Sequence, residues 1–203
     1  MKQKHTILFF IVVIVVPFSV FGVVKWYQNR FTTLPVLGGA NHTISDFHFR
    51  NQYNSESTIK DWNNKIVVAN FFFTHCTSVC PKMMYQLKRV QAYADKNILI
   101  VSFTVDPERD SVQRLKEYAD QFGICRNWHL LTGDKKDLYR FARNDLMVVA
   151  TDGDGDTEDF IHSENVVLID PQKRIRGYYK GTDENEMNEL VGDIEKLRKE
   201  LIK

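Results

Sequence analysis

The chain has 203 residues and an ordinary globular composition, 43% hydrophobic, 26% charged and 12% aromatic, which excludes a disordered or collagen-like protein. Its 27 basic and 26 acidic residues leave a net charge of +1. Without a basic excess to hold a phosphate backbone, no nucleic-acid binding is expected. Three cysteines are too few for a disulfide scaffold.

The first feature along the chain is an uncharged apolar run at residues 7–24. As a helix, such a run is about 27 Å long, close to the thickness of a bilayer's hydrocarbon core. The run favours a single retained transmembrane helix over a cleaved signal peptide, because no good small-x-small cleavage site follows it. The basic residues Lys2 and Lys4 predict that residues 1–6 are a cytosolic tail and that the rest of the chain is exported.

After the apolar run, residues 25–41 are predicted to form a tether, and residues 42–203 to form one α/β domain. Alternating or continuous apolar residues predict strands at 44–49, 66–73, 98–105, 128–131, 166–170 and 175–179. Helical spacing predicts helices at 81–94, 111–122, 134–143 and 183–202. A β-α-β unit followed by a hairpin and a closing helix is typical of a thioredoxin-like domain, here with an N-terminal β extension.

Cys76 and Cys80 lie between a buried strand and the helix that Pro81 opens. Residues four apart in a helix share a face, so both sulfurs can reach one point. A helix N-terminus favours the thiolate, which is the form that binds metal or attacks a disulfide. Thiolates select Cu(I), and an imidazole can complete the shell for Cu(II). Metal binding, disulfide exchange and two inert core thiols all remain open from the pair alone.

Four stretches, in this order, resemble the Sco/SenC family of membrane-anchored, copper-binding, thioredoxin-like proteins. They are the Cys-x3-Cys-Pro site in residues 71–81, the Asp-Pro-x-Arg-Asp turn in 101–110, the Leu-Thr-Gly step in 130–133, and His162-Ser163 followed by 168–171. The resemblance implies copper as cofactor, Cu(I) or Cu(II), with Cys76, Cys80 and His162 as its ligands. Ile161 stands where family members often carry Asp before this histidine.

The resemblance implies a copper metallochaperone rather than an enzyme. The expected place is the bacterial inner membrane with the domain on its periplasmic side. The expected recipient is the dicopper centre of cytochrome c oxidase subunit II or a similar cuproprotein. The alternative is a thiol–disulfide oxidoreductase in which Cys76 attacks and Cys80 resolves, acting on the oxidase copper-site cysteines. A peroxiredoxin-like enzyme and a structural adaptor are weaker, since neither explains both cysteines and His162.

Other residues carry weaker signals. His75 is expected to be an exposed neighbour of Cys76, and Cys125 a free thiol that could mispair with Cys76. Residues 152–163 begin like a calcium loop but lack its Gly and Glu, so a solvated loop is expected. Asp106 and Arg109 are expected to hold a turn together.

Overall fold

The structure, a computed structural model, describes residues 2–31, 33–39, 42–148 and 163–201. The chain divides into two compact units, Met1–Thr33 and Leu34–Lys203. The first unit contains helix α1 (Lys2–Phe31), with Pro17 inside it. Among the residues described, no helix qualifies as a membrane span by length and apolarity, so the transmembrane helix expected at residues 7–24 stays a prediction.

The second unit is built on one sheet of seven strands. The strands are β1 (His48–Asn51), β2 (Glu56–Thr58), β3 (Ile66–Phe72), β4 (Ile98–Thr104), β5 (Trp128–Thr132), β6 (Asn165–Ile169) and β7 (Ile175–Lys180). Their order across the sheet is β2-β1-β5-β4-β3-β6-β7. Strands β3, β4 and β5 are parallel, whereas every other neighbouring pair is antiparallel.

The helices of this unit cover both faces of the sheet. They are α2 (Val79–Tyr93), α3 (Val112–Phe122), α4 (Lys135–Arg140) and α5 (Glu184–Leu201), with a short 3-10 turn at Ile59–Trp62 and a π turn at Phe141–Asp145. The mixed α/β fold is thioredoxin-like, as the sequence predicts, and the central strands β3 and β4 are buried along their whole length. Continuous apolar runs are typical of such doubly covered parallel strands.

Two hydrophobic clusters form the core, one on each face of the sheet. Helices α2, α3 and α5 supply Met83, Leu87, Leu115 and Leu190 to the first. The second is aromatic and contains Phe47, Phe49, Trp62, Phe103 and Phe141, with neighbouring ring centroids about 5 to 6 Å apart.

The predicted N-terminal strand at 44–49 is wrong in extent. Strand β1 begins only at His48 and forms a hairpin with β2, through a turn in which Asn54 has a φ of +59°. Ile44 and Phe47 are buried, 4% and 5% exposed, although neither lies in a strand. The alternation of apolar residues therefore reflects burial of an irregular segment rather than pairing in a ladder.

The start of the second unit is held by a buried arginine. Arg176, 5% exposed, donates its Nε–H to the carbonyl of Pro35 at 2.9 Å and an Nη2–H to that of Leu34 at 2.6 Å. The same guanidinium pairs with Asp170 at 3.0 Å and with Glu200 at 2.8 Å. We call this group of contacts the Arg176 clamp. It lies where β7 begins. This is the end of the sheet at which the parallel strands β3, β4 and β5 also begin, away from their carboxyl ends.

Candidate metal centre

The loop between β3 and α2 carries the two predicted ligands. The backbone N–H of Cys76 donates to the carbonyl of Phe73 at 3.2 Å, which turns the chain sharply after the strand. Helix α2 begins three residues later, at Val79, so Cys80 lies in its first turn. Cys76 and Cys80 are therefore brought together where the parallel strands end. The predicted reason, a shared helix face, is wrong, because Cys76 lies in the turn before α2 and the turn itself brings it to Cys80.

The two cysteines are joined by a hydrogen bond. The backbone N–H of Cys80 donates to Sγ of Cys76 at 3.2 Å. Within the described part of the chain, the side chain of Ser78 at the N-cap makes no capping hydrogen bond. The first N–H groups of a helix have no partner inside the helix. The Cys76 sulfur therefore takes the role that a serine or aspartate oxygen has at other helix starts.

The two thiols differ in ionisation. Both are free. Partial burial opposes ionisation of the Cys76 thiol, but hydrogen bonds from Cys80 and from the N–H groups at the start of α2 outweigh it and lower its pKa. Burial raises the pKa of Cys80 to about 12, and its hydrogen bond to Cys76 adds to the effect. The pair thus offers one thiolate-forming sulfur and one that stays protonated until a metal or a base displaces its proton.

A pocket of about 360 Å³ adjoins the two sulfurs. Phe71, Phe72, Phe73, Val79 and Val105 form its apolar walls, and Ser163 and Glu164 line it beside both cysteines. Because Ser163 and Glu164 lead into β6, which is paired with β3, the topology itself returns this distant part of the sequence to the thiols. Apolar walls lower the local dielectric and so favour a neutral or charge-compensated occupant.

His162, the third predicted ligand, lies outside the described residues, as does Ile161. The described neighbour Ser163 lines the pocket that contains Cys76 and Cys80. In the stretches that the structure describes, no group of three or more His, Cys, Asp or Glu side chains is arranged to hold a metal ion. Of the three predicted ligands, the structure thus places the two sulfurs, a soft pair of the kind that suits copper.

Asp110 is a residue of this region that sequence reasoning left without a role. Its side chain is fully buried, and its carboxylate accepts hydrogen bonds from Thr74 and Thr104 at the ends of β3 and β4. The neighbouring Asp106 and Arg109 do hold a turn, as predicted, with an ion pair of 3.5 Å. The signal that could have identified Asp110 is its place as the last residue of the Asp-Pro-x-Arg-Asp turn, between the buried strand β4 and helix α3.

The remaining candidates lie apart from the thiols or at their margin. His75 is exposed, and its Nδ1 lies 3.2 Å from Oγ1 of Thr74. Cys125 precedes β5 at the amino ends of the parallel strands, whereas Cys76 follows β3 at their carboxyl ends. A seven-residue strand is about 20 Å long, far beyond the reach of a disulfide. Cys125 is a free thiol, as predicted, and a disulfide between Cys125 and Cys76 within one chain is out of reach in this fold. Residues 152–162 of the predicted solvated loop lie outside the described residues.

Comparison with known proteins agrees with this geometry. The SCO1/SenC family model matches residues 36–199. A SCO1 protein homolog of Bacillus subtilis is 26% identical over 159 residues, which are 76% of this chain and 82% of that protein.

Solved structures extend the likeness to the fold. A SCO1/SenC family lipoprotein from Bacillus anthracis is similar with a TM-score of 0.69 and 28% identity, covering 81% of this chain and 99% of that one. Arabidopsis thaliana ScoI with copper bound is similar with a TM-score of 0.60 and 25% identity, covering 74% of this chain and 97% of that one. With the thiol pair after β3 and the family match over residues 36–199 of the second unit, the chain belongs to the SCO1/SenC family.

Proposed function

We propose that this protein is a copper metallochaperone that binds copper through Cys76, Cys80 and His162 and passes it to a respiratory oxidase. The observation that carries the proposal is the contact between the two cysteines, in which Sγ of Cys76 lies 3.2 Å from the N–H of Cys80. This contact brings two free thiols to one pocket, and a pair of sulfurs is the donor set that copper prefers.

His162 is proposed as the third ligand because of its position in the chain. Ser163, the next residue, lines the thiol pocket. Because consecutive residues are joined by at most about 3.6 Å of chain, the position of Ser163 supports His162 as a donor to the same pocket. A nitrogen donor beside two thiolates accommodates Cu(II) as well as Cu(I).

A site with three protein ligands suits transfer better than storage. It leaves a coordination position at which a thiolate or imidazole of a recipient can bind before the chaperone's own ligands leave. The family is one of cytochrome c oxidase assembly proteins, so the recipient we propose is the dicopper centre of oxidase subunit II.

Membrane attachment is a separate part of the proposal and rests on sequence. The uncharged run at residues 7–24, preceded by Lys2 and Lys4, supports an N-terminal anchor that leaves the second unit on the periplasmic side of the inner membrane. An anchor would raise the local concentration of the chaperone beside a membrane-embedded oxidase.

Thiol–disulfide exchange is the second candidate, and a specific observation favours it. The pKa of Cys76 is lowered while that of Cys80 is raised to about 12. An attacking thiolate beside a protonated partner is the asymmetry that a dithiol exchange reaction uses. In this reading the Cys76 thiolate attacks a target disulfide and releases one target sulfur as a thiolate, which can take the proton of Cys80. Cys80 then attacks Cys76 in the mixed disulfide, releases the second target sulfur as a thiolate and closes the Cys76–Cys80 disulfide.

Copper binding by the full chain tests the first candidate. The protein is reduced, held in detergent without oxygen, and loaded with Cu(I) in competition with a colorimetric chelator. We expect one copper ion per chain, lost when Cys76 and Cys80 are both replaced by Ser. Cys125→Ser is the matched control and should bind copper like the parent. A double variant that still retained one copper ion would overturn the assignment.

A further inference from the structure

Asp110 is a fully buried carboxylate next to the loop that carries Cys76. It is the first residue before the N-cap of α3, Ser111. Its two oxygens accept three hydrogen bonds: the N–H of Thr74 at 3.1 Å, the hydroxyl of Thr74 at 2.5 Å and the hydroxyl of Thr104 at 2.5 Å. Burying a carboxylate costs free energy unless hydrogen bonds satisfy it in this way. A network of this kind therefore points to a specific role for Asp110.

Both threonine hydroxyls of this network donate to Asp110 and accept a hydrogen bond from another group. The hydroxyl of Thr104 accepts the N–H of Asp106 at 3.0 Å, so its single hydrogen is left for Asp110. The hydroxyl of Thr74 accepts Nε–H of Arg114 at 3.2 Å, and its hydrogen likewise points to Asp110. Asp110 is the acceptor in all three bonds, so an NH2 group in place of either carboxylate oxygen would face a hydrogen.

The network connects the ends of two strands and the start of a helix to the thiol loop. Thr74 directly follows Phe73, whose carbonyl accepts the N–H of Cys76 at 3.2 Å. The position of Thr74 therefore sets where the turn begins, and the turn sets where Sγ of Cys76 lies relative to the N–H of Cys80. Asp110 reaches the sulfur through Thr74 and the turn rather than by contact.

We propose that Asp110 is a positioning residue for the metal centre. Its carboxylate holds Thr74 so that Cys76 and Cys80 present their sulfurs to one point. The inference about metal geometry rests on the proposed copper function, but the inference about the thiol loop does not. A small displacement of one donor atom changes the energy and intensity of the ligand-to-metal charge-transfer band. The residues that hold the ligands in place therefore affect the spectrum of the site.

The test compares Asp110→Asn with Asp170→Asn in the full chain. Asp170 is similarly buried, 1% exposed, and accepts several hydrogen bonds. It belongs to the Arg176 clamp, at the end of the sheet away from the thiols. In the copper-free, reduced protein we measure amide hydrogen exchange by NMR. Asp110→Asn should lower protection of the Thr74, Cys76 and Cys80 amides by about tenfold or more, the effect of losing one hydrogen bond. Asp170→Asn should lower the protection of those three amides no more than it lowers the protection of the other amides in the sheet.

The copper-loaded protein provides the second readout. Asp110→Asn should shift or weaken the thiolate-to-Cu(II) absorption, whereas Asp170→Asn should keep the parental spectrum. If Asp110→Asn does not fold, Thr74→Val removes the same link while keeping the side-chain volume, and it should give the same two changes. Parental protection and an unchanged spectrum in the folded Asp110 or Thr74 variant would overturn the proposal. Failure of the parent to bind copper would overturn the copper function and leave the exchange result to decide the role of Asp110.

Discussion

Sγ of Cys76 accepts the backbone N–H of Cys80 at 3.2 Å, so one thiol of the pair caps the helix in which the other thiol lies. This arrangement couples the two sulfurs through the backbone as well as through space. It also makes the pair unequal, since the capping sulfur gains hydrogen-bond donors and the other is buried in the core.

This inequality predicts the pH dependence of thiol alkylation. A lowered pKa means that Cys76 forms its thiolate, the reactive species, at a lower pH than an ordinary cysteine does. Cys80, with a pKa of about 12, should stay protonated and unreactive over the same range. Iodoacetamide labelling of the reduced, copper-free protein between pH 6 and about 9, followed by peptide mass spectrometry, measures both rates. Labelling of Cys80 before Cys76 would contradict the asymmetry.

Removal of His162 should separate copper binding from disulfide exchange. Exchange needs only an attacking thiolate and a resolving thiol, so His162→Ala should still form and exchange the Cys76–Cys80 disulfide. The same variant should lose the thiolate-to-Cu(II) absorption and bind Cu(I) more weakly, because the nitrogen donor is gone.

His42→Ala is the control for the loss of an imidazole, since its ring pairs with the carbonyl of Asp145 at 2.8 Å and is not among the proposed ligands. An unchanged Cu(II) spectrum and affinity in His162→Ala would remove His162 from the ligand set and move the exchange function ahead.

The sequence predicts the centre of this fold better than its margin. Strands β3 and β4 are recognisable because burial on both faces requires continuous apolar residues. The hairpin of β1 and β2 is not, because its strands of four and three residues are too short for a periodic pattern and β1 pairs with β5, far along the chain.

The same division holds in the candidate site. Cys76 and Cys80 are recognisable because they are close together in the sequence, although Cys76 lies in the loop before α2 and not on the helix. Asp110 is not, because its burial depends on three elements that meet only in the folded domain. The place of Cys125 likewise depends on strand direction, which the sequence around it does not encode.

The Arg176 clamp predicts a stability effect without a copper effect. Arg176→Met leaves the buried carboxylate of Asp170 without this partner and should lower the free energy of unfolding by about 3–5 kcal/mol. Arg174→Met is the matched control: it removes another partner of the same Asp170, but the Arg174 side chain is 39% exposed, so about 1 kcal/mol is expected. Urea unfolding of both variants measures the difference, and folded Arg176→Met should bind copper like the parent. Equal losses in the two variants would contradict the role of burial.

The topology of the chain is tested by a reporter. Alkaline phosphatase fused after the last residue should be active in a bacterial host, because the enzyme requires export and the basic tail before residues 7–24 favours a cytosolic N-terminus. A version with residues 7–24 deleted should be inactive. An inactive full-length fusion together with an active cytosolic reporter at the same position would reverse the predicted orientation.

The Arg176 clamp lies at the end of the sheet where β3 begins, and the thiols lie at the opposite end, where β3 stops. The chain therefore enters the second unit, at Leu34 and Pro35, at the end of the sheet away from the thiol pocket. The length of the chain before Leu34 should set how far the sulfurs can travel. Their geometry is set by contacts within the second unit. The distance available to the sulfurs and the chemistry of the thiol pocket can thus change independently. Attaching the protein to a surface or to a second domain through its N-terminus should leave the thiol pocket open to its recipient.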